Sequence, residues 1–136
     1  MARILLVDDH PVVRQGIHHI LAASLADATI DEAGTGDEAL AKIRGGAWDL
    51  VVLDLTMPGL SGLDLVKLLR RERPKLPVLI LSMHPAAEFA RRALSAGAYG
   101  YITKESAPAE LVTAVNHLLG GQKYVSPSLA EQLALG

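Results

Sequence analysis

The sequence contains no cysteine, which excludes a disulfide framework and a thiolate metal site and gives no sign of an oxidising compartment. Long apolar runs are missing too. Met1-Ala2-Arg3 leads directly into a four-residue apolar stretch, far shorter than a signal-peptide core or a membrane span. No targeting segment and no membrane partner are expected, and the expected location is cytoplasmic. Neither sign of charge dominates, since 13 Lys and Arg face 15 Asp and Glu for a formal charge of −2. A chain so balanced does not by itself coat nucleic acid or an anionic membrane, so its electrostatics must act locally, at a site. Internal repeats and low-complexity tracts are also lacking.

What the 136 residues do offer is a 50% hydrophobic composition, enough for one compact domain with a real core and too little for a second full domain. Ile4-Leu5-Leu6-Val7, Leu50-Val51-Val52-Leu53 and Val78-Leu79-Ile80-Leu81 are apolar at every position. Such runs suit strands covered on both faces, whereas a strand with one wet face would alternate. Two weaker strands fit at Thr29 to Ala33 and Tyr99 to Ile102. Between them, Val13, Gly16, Ile17, Ile20 and Leu21 recur at helical spacing, as do Ala86, Ala90, Ala93, Leu94 and Gly97. The clearest helix carries the stripe Leu111, Ala114, Val115, Leu118 and Leu119, introduced by Ser106 and Pro108 and ended by Gly120-Gly121. Thr35-x-x-Glu38 and Ser61-x-x-Asp64 have capping-box spacing. Strand and helix alternate in the pattern of an α/β protein with a five-stranded, mostly parallel sheet and helices on both faces. The domain is expected over residues 1–120. Residues 121–136, from Gly121 through Ser126-Pro127 to a short helical stretch, read as a linker outside the core.

Each apolar strand is followed by a polar residue: Asp8 and Asp9 after the first, Asp54 after the third, Ser82 after the fourth, Lys104 just past the fifth. In an open parallel sheet the carboxyl ends share one edge, where ligands bind, so these residues should converge on one crevice. Three carboxylates beside one ammonium and one hydroxyl repel one another unless a cation joins them. With oxygen ligands alone, and a phosphate to bridge, the expected ion is Mg²⁺. Asp54 is the candidate nucleophile, because a carboxylate can be phosphorylated to an acyl phosphate. Asp8 and Asp9 would hold the metal, while Lys104 and the Ser82 hydroxyl would meet the phosphoryl oxygens. His10, His18, His19, His84 and His117 show no spacing of a metal site with a partner carboxylate and are set aside as ligands. His84, two residues after Ser82, is either a surface loop residue or one that influences water attack on the acyl phosphate. Tyr101 reads equally as half-buried strand packing or as a switching residue.

The segments Leu6-Val7-Asp8-Asp9-His10, Asp54-Leu55-Thr56-Met57-Pro58-Gly59, Leu81-Ser82 and Gly100-Tyr101-Ile102-Thr103-Lys104 resemble the receiver (CheY-like) domains of bacterial two-component response regulators, from Ala2 to about Gly120. The resemblance implies strand order 2-1-3-4-5 and a phosphoryl group passed to Asp54 from a sensor histidine kinase. It also implies a metal shell completed by the backbone carbonyl of Thr56, and a Ser82 and Tyr101 pair that moves on phosphorylation. Thr56, Met83 and His84 become candidate modulators of the phosphoryl lifetime. Such a domain is not an enzyme on other substrates, although it assists its own phosphotransfer and dephosphorylation.

His10-Pro11-Val12-Val13-Arg14-Gln15-Gly16, Leu81-Ser82-Met83-His84 and the tail Gly121-x-x-Tyr124-Val125-Ser126-Pro127 are similar to the NarL/FixJ type with a LuxR-type helix-turn-helix output. That similarity implies transcription regulation through DNA bound by the output domain, which this chain does not include, and a homodimer on activation. Many receivers follow the lysine with proline; here Glu105 stands there. Two rivals use the same residues. A metal-dependent aspartyl phosphatase usually needs an acid two residues after the nucleophile, where Thr56 stands. A receiver-like interaction module that is never phosphorylated would not need Asp9, Asp54, Ser82 and Lys104 all intact; the alternative to a transcription factor is a stand-alone receiver that acts by protein–protein contact.

Overall fold

The structure is a computed structural model that describes residues 2–54, 62–82 and 87–135. Strand and helix alternate along the chain as β1 (Arg3–Val7), α1 (Pro11–Ser24), β2 (Thr29–Ala33), α2 (Gly36–Arg44), β3 (Leu50–Asp54) and α3 (Gly62–Glu72). They continue as β4 (Val78–Ser82), α4 (Ala87–Ala96), β5 (Gly100–Thr103), α5 (Ala107–Leu119), β6 (Tyr124–Val125) and α6 (Pro127–Leu135). All strand pairings are parallel, in the order β2-β1-β3-β4-β5-β6. The first five follow the expected order; the sixth was not expected.

Period-two geometry explains why the central strands are apolar throughout. Leu5, Val7, Val51, Leu53 and Ile80 face one core, with Ala39 and Ile43 of α2, Leu65, Val66 and Leu69 of α3, and Ala90 and Ala93 of α4. Their neighbours Ile4, Leu6, Leu50, Val52, Leu79 and Leu81 face the other, against Ile17 and Leu21 of α1 and Leu111, Ala114, Val115 and Leu118 of α5. Each fully buried aliphatic side chain stabilises the fold by about 1.5–3 kcal/mol, so a one-residue slip in a strand would exchange the two cores.

Local signals set the helix ends. Thr35 Oγ1 accepts from the Glu38 amide at 3.1 Å, one half of the expected capping box. Ser61, the other proposed cap, lies outside the described residues. Ser106 occupies the cap position of α5, but its hydroxyl does not cap; it accepts instead from the Thr103 hydroxyl at 2.9 Å. At the far end of α5, Gly121 takes φ +82°, and the amides of Gly121 and Gln122 return to the carbonyls of Leu118 and His117 at 3.0 and 2.8 Å. That paired closure of a helix end requires a left-handed residue, which glycine supplies.

The tail corrects the sequence reading. Residues after Gly121 are not a linker apart from the core: β6 pairs with β5, and Leu129 of α6 is buried in the cluster that holds Tyr101, Ala90 and Ala93. Gly100 permits the pairing, since a Cβ there would stand 2.9 Å from the Tyr124 carbonyl oxygen. The Tyr124 hydroxyl donates to Glu110 Oε1 at 2.7 Å. Composition hid this strand because two half-buried residues carry no periodicity.

Candidate functional site

The strand registers align Val7 with Leu53, Asp54 with Leu81 and Ser82 with Thr103, so β1, β3, β4 and β5 all end at one edge. Asp8, Asp54 and Ser82 are almost wholly buried there, with 1%, 1% and 0% of their surface exposed. Lys104 follows β5 and reaches back: its Nζ donates to Asp54 Oδ2 at 3.0 Å and lies 3.5 Å from Asp8 Oδ2. Its amide donates to the Ser82 carbonyl at 2.8 Å, which fixes the start of that reach. The structure thus brings Asp8, Asp9, Asp54 and Lys104 together and sets Ser82 at the end of the neighbouring strand.

Asp8 is held by backbone contacts on both sides. Its amide donates to the Ala33 carbonyl at 3.1 Å, and its Oδ1 accepts from the His10 amide at 2.8 Å. Arg14 donates to the Asp8 carbonyl and to Glu32 Oε1, both at 2.6 Å, while His18 Nδ1 meets Glu32 Oε2 at 2.7 Å. Burial pushes the Glu32 carboxyl up, but the hydrogen bonds from Arg14 and His18 outweigh it and leave the group below its usual range. This network braces the first turn of α1 under the acidic pair.

Two carboxylate oxygens of the site, Asp8 Oδ2 and Asp9 Oδ1, are buried and accept no hydrogen bond among the described residues. Buried acceptors without donors are costly. Asp8, Asp9 and Asp54 offer oxygens within 4.8 Å of one another, and hard oxygen donors at this spacing fit a divalent cation of the Mg²⁺ class. The residues present fit the ion.

Ser82 and Tyr101 are both fully buried. Burial pushes the Tyr101 phenol up, and a hydrogen bond with Ser82 acts in the opposite direction. Of the two readings of Tyr101, half-buried packing gives way to complete burial, in the core cluster that also holds Leu129 of α6 and Ala90 of α4. Thr56, Met83 and His84 lie outside the described residues.

Sequence reasoning missed His10. Its Nδ1 stands 2.9 Å from Asp9 Oδ1, 3.3 Å from Asp8 Oδ1 and 3.9 Å from Asp54 Oδ2. A search for histidine pairs could not find it, because its partners are carboxylates from two strand ends. The available signal was its place directly after Asp8-Asp9, before Pro11.

Residues 4–116 match the family described as response regulator receiver domain. The transcriptional activator protein ExaE of Pseudomonas putida is 44% identical over 131 residues, which cover 96% of this chain and 61% of ExaE. The response regulator GacA of Pseudomonas viridiflava is 41% identical, over 99% of this chain and 63% of GacA. The chain thus spans about three fifths of the length of the curated relatives it matches. Among solved structures, a LuxR-family two-component response regulator from Aurantimonas sp. SI85-9A1 superposes with a TM-score of 0.93 at 41% identity, covering 99% of this chain and 96% of that one. Strand ends, acidic cluster and family match agree, and the chain belongs to the response regulator receiver domain family.

Proposed function

We propose that Asp54 is the phosphoacceptor and that a sensor histidine kinase is the donor. The observation that supports this most is the placement of Lys104 Nζ 3.0 Å from the buried Asp54 carboxylate, beside the undonated oxygens of Asp8 and Asp9. In the transfer, an Asp54 carboxylate oxygen forms a bond to phosphorus while the phosphorus bond to the donor's histidine nitrogen breaks. Lys104 and the Ser82 hydroxyl take up charge on the phosphoryl oxygens. Asp8, Asp9 and Asp54, with the Thr56 backbone carbonyl, would hold Mg²⁺, which supplies further neutralisation when bound. Thr56, Met83 and His84 tune how long the acyl phosphate lasts.

The consequence of phosphorylation runs through Ser82 and Tyr101 to α4, β5 and α5, and the activated protein pairs with a second copy. The parent protein regulates transcription in the cytoplasm through a DNA-binding output domain, a reading supported by the name of the transcriptional activator ExaE and by the two fifths of its length that this chain leaves unmatched. No helix among the described residues is long and apolar enough to cross a membrane. Incubation with acetyl phosphate and Mg²⁺ tests the core of this reading. One labile phosphoryl per chain is expected on the wild type and none on Asp54→Ala; an Ala variant labelled to wild-type stoichiometry overturns the assignment.

A further inference from the structure

We infer that His10 is a nitrogen ligand of the acidic site, so that the site holds an imidazole-accepting divalent ion of the Co²⁺ or Zn²⁺ kind more tightly than Mg²⁺. The inference rests on the reading of Asp8, Asp9 and Asp54 as a cation site and specifies which ion that site selects.

The chain directs this imidazole inward for local reasons. His10 precedes Pro11, a position that excludes the helical region, and it takes φ −98°, ψ 104° at the start of α1. Its side chain makes no capping hydrogen bond. The side chain is 58% exposed, so burial does not pack it in place; its contacts are the carboxylates.

Those contacts have the spacing of a shared coordination shell. Ligands about 2.1 Å from one octahedral ion stand about 3.0 Å apart when adjacent and about 4.2 Å when opposite. The distances from Nδ1 to Asp9 Oδ1, Asp8 Oδ1 and Asp54 Oδ2 are 2.9, 3.3 and 3.9 Å, within that range. Nδ1 is within ion-pair distance of Asp9 Oδ1 and hydrogen-bonding distance of Asp8 Oδ1, contacts that a shared ion would take over. Independently, Asp8 is 1% exposed and its Oδ2, 3.5 Å from the Lys104 ammonium, accepts no hydrogen bond among the described residues, so a buried carboxylate oxygen keeps room for an ion.

A site of carboxylate, carbonyl and water suits Mg²⁺, whereas one imidazole shifts preference toward first-row ions that bind nitrogen well. His10 is therefore a selectivity residue: it adds affinity for Co²⁺ and Zn²⁺ and little for Mg²⁺.

Calorimetric titrations of the purified chain with Mg²⁺ and with Co²⁺, on wild type, His10→Ala and Asp9→Ala, read this directly. Wild type should bind Co²⁺ at least about tenfold more tightly than Mg²⁺, and His10→Ala should remove most of that gap while moving the Mg²⁺ Kd less than about threefold. Zn²⁺ should also shift the His10 Nδ1 resonance in a histidine-ring nitrogen spectrum, where Mg²⁺ should not. A gap untouched by His10→Ala, or an unshifted His10 ring, overturns the inference even when Asp9→Ala weakens Mg²⁺ binding. A Mg²⁺ Kd unmoved by Asp9→Ala instead overturns the acidic-site reading and takes the inference with it.

Discussion

Lys104 Nζ donates to Asp54 Oδ2 at 3.0 Å across 50 residues of sequence, and the same ammonium lies 3.5 Å from Asp8 Oδ2. One cation thus balances two buried carboxylates from different strands. Lys104→Ala removes the ammonium that the two acids share. Without divalent ions, the variant should lose about 3 kcal/mol of stability, the usual cost of stranding a buried charge. Saturating Mg²⁺ should raise the melting temperature of the variant more than that of the wild type, and the labelling rate with acetyl phosphate should fall. Equal Mg²⁺ responses would count against a shared role for Lys104 and the metal.

Ser82 and Tyr101 meet inside the domain, both fully buried and hydrogen-bonded to each other. Ser82→Ala deletes the hydroxyl proposed to meet the phosphoryl group and removes its hydrogen bond with the Tyr101 phenol, at a cost of about 1 kcal/mol. The variant should still accept a phosphoryl on Asp54, yet the amide shifts that phosphorylation causes in α4 and β5 should shrink. Wild-type shifts in Ser82→Ala would remove Ser82 from the switch.

Much of this architecture could be read from residues alone, and the reasons are physical. The three apolar runs are legible because both faces of β1, β3 and β4 are covered, and the polar residue ending each run marks the site edge. Tyr101 was harder. It is fully buried in a cluster that draws on α4 and α6 as well as the sheet, a tertiary environment that local pattern does not encode. Tyr124-Val125 escaped because pairing with β5 needs the missing side chain of Gly100, a non-local requirement. His10 escaped because its three carboxylate neighbours arise from two strand ends.

Tyr124 should make the tail sensitive to alkali. Burial, then the hydrogen bond to Glu110 and its charge, push the phenol from 10.0 up to about 12. The fold favours the neutral form, so this contribution is fully present below pH 10 and is lost as pH rises through about 12. Tyr124→Phe lacks both the hydrogen bond and the ionisation. At pH 8 it should be less stable than wild type by about 1 kcal/mol, and the difference should close as pH climbs from 10 to 12. Melting temperatures of the two proteins across that range check the point; a gap that stays constant would detach Tyr124 from it.

Leu129 ties α6 to the switch. It is 2% exposed and shares its cluster with Tyr101, Ala90 and Ala93, so α6 rests on the residues that phosphorylation is expected to move. Leu129→Asp places a carboxylate in that apolar seat, where an unpaired charge is not tolerated. Because α6 lies at the edge of the described fold and its Leu129 is what the substitution displaces, the cheaper response is local release of α6 rather than unfolding of the sheet. Hydrogen exchange should therefore show lost protection in residues 127–135 and retained protection in β1, β3 and β4. Asp54 should be labelled at the wild-type rate, since Asp8, Asp54 and Lys104 are held by the ends of β1, β3 and β5 rather than by α6. In the wild type, phosphorylation should alter exchange in α6 together with α4; in Leu129→Asp it should alter α4 alone. If α6 in the wild type does not respond to phosphorylation while α4 does, the buried contact is mere packing, and the signal leaves the domain by another surface.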